Sequence, residues 1–189
     1  MVKQSPLTTK IIDYYKAKDF TVKWHYSKTM PKNTKYCFAW GDYAVAVFGI
    51  PSNRNIYKFL SRKTQENITR DNLLELTRLC RVEPKRENLY LSQFLSHCFK
   101  NLKQKEIKYI ISYSDLYYNH TGGVYKATNF IFLGKTKKQL HFINKKGNLL
   151  SKKALSNYAK YNNITFAEAK RNFKSIYTEE KNRWFYKIR

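Results

Sequence analysis

The stretch from Tyr36 to Ile50 constrains the fold more than any other part of the chain. Tyr36 to Ala39 and Tyr43 to Ile50 are two β-forming runs separated by Trp40-Gly41-Asp42. Gly41 supplies the turn and Ala, Val and Phe fill the second run, so the segment reads as a β-hairpin. The runs around it set the fold class. Leu73 to Val82 reads as a strand, Tyr90 to Leu102 as a helix with Leu91, Phe94, Leu95, Cys98, Phe99 and Leu102 on one stripe, and Ile107 to Tyr113 and Asn129 to Leu133 as strands. Strand, loop, helix and strand in that order are the grammar of a mixed α/β sheet. Before the hairpin, Ser5-Pro6 opens a short amphipathic helix over 8–18. Pro51 to Asn67 reads as a polar loop with a short helix around Tyr57 to Ser61. In the last third, Ser151 to Tyr161 and Thr165 to Ile176 read as helices, the second opened by the capping box Thr165-Phe166-Ala167-Glu168, and Trp184 to Tyr186 reads as an aromatic strand.

Charge decides the class of partner. The 189 residues carry 37 Lys+Arg against 13 Asp+Glu, a formal net charge of +24, with 42% hydrophobic and 16% aromatic residues. That composition supports a packed core and attracts polyanions, so nucleic acid is the first partner expected. Half of the excess lies in residues 135–189, which hold fifteen basic and three acidic residues. The chain therefore divides into a site-bearing core, 1–134, and a basic helical C-terminal extension, 135–189. No run reaches the ~18 apolar residues of a membrane span and the start lacks a secretory pattern, so no membrane is expected and the chain is placed in the cytosol. Cys37, Cys80 and Cys98 match neither a disulfide framework nor a zinc site and read as buried thiols.

Three clusters are capable of chemistry. Ser112 to Tyr125 follows a core strand and contains Asp115, Tyr117, Tyr118, His120 and the Gly122-Gly123 pair. Sites in α/β sheets lie beyond strand C-termini, although any polar turn uses the same residues. Trp24-His25-Tyr26 offers an imidazole beside a phenol, which serves packing as readily as catalysis. Arg78 to Asn88 leads into the Tyr90 helix, where backbone amides with Arg81, Lys85 and Arg86 suit a phosphate, without a glycine-rich loop.

In chain order, His25-Tyr26-Ser27-Lys28-Thr29-Met30-Pro31, Phe48-Gly49, Leu79-Cys80-Arg81, Ser92-Gln93-Phe94-Leu95, Ser112-Tyr113-Ser114-Asp115, His120 to Phe130 and Lys181-Asn182-Arg183-Trp184 resemble the bacteriophage Mom family of DNA-modification proteins. The resemblance implies a GNAT-like α/β (α+β) fold, with a mostly antiparallel central sheet flanked by helices. It implies attachment of a carbamoylmethyl group to the exocyclic amine of adenine in phage DNA, which protects that DNA from host restriction. It places catalysis, and an iron ion, on His25, Tyr26, Asp115 and Tyr125, a hard oxygen-rich set that suits iron better than zinc. Arg81, Ser92, Ser114, Tyr117, Tyr118 and His120 are the expected substrate contacts, with Trp24, Tyr117 and Tyr118 available to stack on a base. The DNA is double-stranded with a flipped base, or single-stranded. The donor is acetyl-coenzyme A or a glycine-derived or aminoacyl group, the first disfavoured by the missing glycines. The alternatives are a GNAT acetyltransferase for protein or small-molecule amines and a non-catalytic DNA-binding protein.

Overall fold

The computed structural model describes residues 8–85, 88–144, 147, 149–177 and 180–189; Ser5-Pro6 and Arg86 lie outside them. The expected opening helix is instead a strand followed by a helix. β1 (Thr9–Ile12) pairs antiparallel with β2 (Thr34–Trp40), and α1 (Tyr14–Trp24) starts after Asp13, whose carboxylate accepts Lys16 N–H at 2.9 Å. Ile11 and Ile12 are β-branched and have a strand edge to pair with, while Asp13 is a better N-cap than anything before it. The hairpin holds as β2 and β3 (Ala44–Gly49). Further elements are α2 (Ile56–Thr64), β4 (Leu73–Arg81), α3 (Leu91–Lys103), β5 (Tyr109–Asp115), α4 (Gly123–Ala127) and β6 (Ile131–Lys135). After them come β7 (Leu140–Ile143), β8 (Leu149–Ser151), α5 (Lys152–Tyr161), α6 (Phe166–Arg171), β9 (Lys174–Tyr177) and β10 (Lys181–Lys187).

A seven-stranded sheet runs β1-β2-β3-β4-β5-β10-β6, antiparallel from β1 to β4 and parallel at β4–β5. Alternation along its strands builds a core on each face. Phe38, Ala46, Phe48, Leu74, Leu76 and Ile110 pack with Phe94, Leu95, Cys98, Phe99 and Leu102 of α3. The opposite face is covered at one end by α1, whose Ala17 meets Cys37, Val45, Val47 and Cys80, and at the other by Ile56 and Leu60 of α2 on Leu73, Ile111 and Phe185. Burying each large apolar side chain contributes about 1.5–3 kcal/mol. All three cysteines are buried and free, and burial pushes the Cys37 thiol up to about 11 and Cys80 to about 12. They are inert core thiols, as expected.

The chain forms two compact units, and the boundary differs from the expected one. The first contains residues up to Tyr113, Gly122–Leu133 and Arg183–Arg189; the second contains Ser114–Thr121 and Gly134–Asn182. The basic segment is thus not a C-terminal extension. It is an insertion between β6 and β10, and its two ends meet, since Thr136 N–H donates to Lys181 O at 2.9 Å. Trp184 to Tyr186, expected as an aromatic strand of the extension, lies in β10 of the main sheet. The insertion has its own three-stranded antiparallel sheet, β8-β7-β9, and its own core of Phe142, Leu155, Ala159 and Ala169. The expected helix over 165–176 keeps its capping box but ends at Arg171. Lys174–Tyr177 pairs with β7 instead, a nonlocal partner that outweighs local helix preference.

Within the first unit, Glu66 accepts from Tyr109 Oη at 2.8 Å and is ion-paired with Lys187. The hydrogen bond from Lys187, then that from Tyr109, hold its carboxyl below the ordinary value of 4.5. Folding therefore favours the ionised form, so this contribution is complete above about pH 4.5 and is lost as pH falls through the lower folded value. The drop in thermal midpoint from Glu66→Gln, read by circular dichroism melts, should be largest at pH 7 and shrink as pH falls below 4.5; a loss that does not shrink would exclude the ion pair as the cause.

Candidate active site

The β4–β5 ladder is in register at Leu73–Tyr109, Leu74–Ile110, Glu75–Ile111 and Leu76–Ser112, and stops there. β4 continues to pair with β3 as far as Arg81–Ala44, across a register shift between Val47 and Phe48. Thr77 occupies the extra position on β4 and its hydroxyl donates to Val47 O at 3.0 Å. A bulge of this kind bends its strand and reverses which face the following residues take. The C-terminal halves of two parallel strands are thereby left unpaired with each other, opening a crevice beyond the last rung.

That rung is bolted by side chains. Ser112 Oγ lies 2.9 Å from Leu76 O and 2.9 Å from Tyr125 Oη. The carbonyl can only accept, so the single Ser112 proton points to it and the Tyr125 hydroxyl donates to Ser112 Oγ. Ser112 is fully buried and Tyr125 nearly so. Burial pushes the phenol up to about 12, keeping it neutral. Trp184 of β10 stacks on Tyr125 with centroids 5.6 Å apart. Gly122 makes room for that indole: a Cβ there would lie 2.3 Å from Trp184 Cζ2, at φ +93°.

The other face gathers the loop after α1. The Arg78 guanidinium donates through Nε to Thr29 O at 2.9 Å and through Nη2 to Thr29 Oγ1 at 3.1 Å. Burial lowers its pKa, while the neighbouring Tyr26, Glu75 and Cys80 oppose that. The far end of the loop is tied to β3, where Ile50 N–H donates to Asn33 O at 3.0 Å and Asn33 Nδ2 donates to Ile50 O. Gly49 permits the approach, since a Cβ there would meet Asn33 O at 2.5 Å. Glu75 also acts on the phenols of Tyr57, Tyr113 and Tyr125, all raised chiefly by burial and further by this carboxylate, while Arg183 beside Tyr113 lowers it in part. Glu75 and Arg78 are candidate site residues that the sequence reading did not single out, although Arg78 opens its third cluster. The available signal was an acid and a guanidinium inside the otherwise apolar Leu73-Leu74-Glu75-Leu76-Thr77-Arg78-Leu79-Cys80, because charged groups are rarely placed in a central strand without a partner.

The expected residues divide between the two units. His25 is buried at the end of α1 and stacks against half-exposed Tyr26 at 4.2 Å. Its Nδ1 receives Ser27 N–H at 3.1 Å and lies 2.9 Å from Ser27 Oγ, so the ring proton of the neutral imidazole belongs on Nε2. Asp115 is in the second unit. One carboxylate oxygen accepts Tyr117 N–H at 3.2 Å and the other meets Lys181 Nζ at 2.8 Å. His120 N–H donates to Asp115 O at 3.1 Å, and Tyr117 and Tyr118 form an exposed edge-to-face pair at 5.1 Å. Ser114 is buried in this unit. In the first unit, Arg81 is ion-paired with Glu83 at 3.2 Å, and Ser92 lies in the first turn of α3.

A model of the Mom protein family matches residues 6–189. The chain belongs to this family. No curated protein matches the sequence. Solved structures similar to it include a Bacillus subtilis acetyltransferase in complex with CoA (TM-score 0.52, 11% identity, 97% of this chain and 99% of that one). A putative acetyltransferase from Acinetobacter baylyi (0.53, 9%, 100% and 95%) and the C-terminal condensation domain of Ebony in complex with beta-alanyl-dopamine (0.51, 9%, 96% and 100%) are also similar. These likenesses give the Mom chain a GNAT-type fold, as expected, with the insertion placed between the last two strands of the sheet.

The iron expectation does not fit this Mom chain. Tyr125 is a buried, hydrogen-bonded neutral phenol, both Asp115 oxygens are engaged, and His25 Nδ1 is occupied by Ser27. Among the described residues no three His, Cys, Asp or Glu side chains are grouped to hold a metal ion. α3 starts with no side-chain cap and no acidic residue in its first turn, and Lys85 Nζ lies 5.1 Å from the Tyr90 ring centroid, so the first amides of the helix face a positive field.

Proposed function

We propose that this protein transfers a small carbamoylmethyl (acetamido-type) group to the exocyclic amine of adenine in DNA. The observation that carries the reading is the opened β4–β5 rung, where Ser112 is bonded to Tyr125 and Tyr26, Glu75 and Arg78 are grouped nearby, in a chain matched along almost its whole length by the Mom family. The donor would carry its CH2–CO–NH2 group on a leaving group and be held by the start of α3 with Lys85; the N6–CH2 bond forms as the bond from that methylene carbon to the leaving group breaks, whereas attack on a thioester carbonyl would give an amide. The adenine amine is a weak nucleophile because its lone pair is delocalised into the ring, so it needs a proton acceptor as it attacks. Glu75 is assigned that role. His25, with its proton on Nε2, donates a hydrogen bond rather than accepting the proton. Within the second unit, Tyr117 and Tyr118 present exposed rings.

An acetyltransferase for other amines is the second reading, favoured by the uncapped start of α3. Nucleoside mass spectrometry on DNA from cells expressing the protein separates the two. The expected result is a deoxyadenosine carrying added mass in wild type and a yield lowered at least tenfold in Glu75→Gln. Unmodified deoxyadenosine in wild type would reject the DNA reading.

A further inference from the structure

We infer that α2 is a grip for the phosphates of a nucleic-acid strand, located in the same unit as the opened rung and separate from the basic insertion. The inference rests on the DNA reading above and deepens it. α2 carries Lys58, Arg62 and Lys63 with no Asp or Glu between Ile56 and Thr64, and Arg54 stands just ahead of it. Lys58 and Arg62 are one helical turn apart on one face, about 6 Å along the axis. Like charges at this spacing, with a cation in the first turn, each cost a few tenths of a kcal/mol. Among the described residues, the ion pairs of Asp13, Glu66, Glu83, Asp115 and Glu180 involve none of these four cations. The missing negative charge is the complement of a polyanion.

A second feature fits the same occupant. Asn55, Lys58, Phe59, Arg62 and Lys63 line a shallow depression of about 440 Å³. Phe59 is part of its floor, one-third exposed, with the Arg183 guanidinium 4.3 Å from its ring centroid. An aromatic ring inside a cationic rim is the pairing that takes a sugar or base while its neighbours neutralise phosphates. A bilayer is a poor fit, because the apolar side of α2, Ile56 and Leu60, is buried in the core and leaves no face to insert. The occupant is therefore a DNA strand, bound through its backbone.

The test uses the full chain, a fluorescein-labelled DNA duplex and its single strand, and a salt titration by anisotropy. In Lys58→Gln/Arg62→Gln, two lost phosphate contacts should make the slope of log K against log salt shallower by about 1.8 on duplex and about 1.4 on single strand. Affinity at low salt should fall at least tenfold, with a circular dichroism melt that is not lowered. A second pair, Lys152→Gln/Lys153→Gln, controls for general loss of charge from the insertion. If wild type binds DNA and the α2 variant keeps both its slope and its affinity, or loses no more than the control pair does, the inference is overturned while the DNA reading stands. If wild type binds neither DNA, the DNA reading itself fails.

Discussion

Tyr125→Phe is expected to lower group transfer by about 100-fold, equivalent to about 2.7 kcal/mol of barrier, while DNA affinity stays within a factor of two. The hydroxyl removed is buried, donates to Ser112 Oγ at 2.9 Å, and sits on the last rung before β4 and β5 separate. Losing one such hydrogen bond costs about 1 kcal/mol of stability and a few degrees of melting temperature, too little to unfold the chain. The larger effect on rate follows if the rung fixes where the crevice begins, because small displacements of a positioned site are costly. Ser112→Ala distinguishes the two ways the phenol can act. A matching loss in that variant identifies the bolt as the working part. Retained activity there, with loss in Tyr125→Phe, means that the phenol acts on the reactants itself. Wild-type rates in both would refute a role for this rung. Since burial holds the phenol up to about 12, the pH–rate profile should show no limb from Tyr125 between pH 6 and 9.

Gly122→Ala should have the largest effect on stability. The new methyl would lie 2.3 Å from Trp184 Cζ2 and 2.7 Å from Cε2, and the backbone there is left-handed at φ +93°. A left-handed residue with a Cβ costs about 1–2 kcal/mol and overpacking a core costs about 1–3 kcal/mol, so the sum is about 2–5 kcal/mol. For a chain of this size that lowers the melting temperature by on the order of 10 °C. Trp184 has little space to retreat: it is stacked on Tyr125 and lies 5.3 Å from Phe132 by ring centroids. Gly123→Ala is the internal comparison. No atom lies within 4 Å of a Cβ at Gly123 and the residue begins α4, so alanine there should be neutral or stabilising by about 0.5–1 kcal/mol. Melts of the two variants side by side test this, and equal midpoints would show that the Gly122–Trp184 contact does not constrain the chain.

Much of the first unit was legible residue by residue. The hairpin, β4, α3 and β5 follow local rules: a glycine turn, alternating apolar runs, and an i, i+4 stripe from Phe94 to Leu102. Residues 9–12 were misread because Ile11 and Ile12 suit both a helix face and a strand, and only the edge of β2 decides between them. The same holds for Lys174–Tyr177, which becomes a strand because β7 lies beside it. His25, Tyr26 and Tyr125 were expected from residue types and the family resemblance, whereas Glu75 and Arg78 stand inside an apolar strand. Asp115 was singled out as a reacting carboxylate, yet its two oxygens hold a backbone amide and Lys181.

By itself the sequence determined the element types with strong local periodicity, the inertness of the three thiols and the excess of positive charge, because each depends on composition or on neighbours within a few residues. Tertiary structure alone decided that 181–187 is a strand of the main sheet and that the basic segment is an insertion. It alone set the last rung at Leu76–Ser112, beneath Tyr125 and beside Glu75. These depend on pairings between residues tens of positions apart, whose loop-closure cost is met only by the assembled core and leaves no periodic trace along the chain.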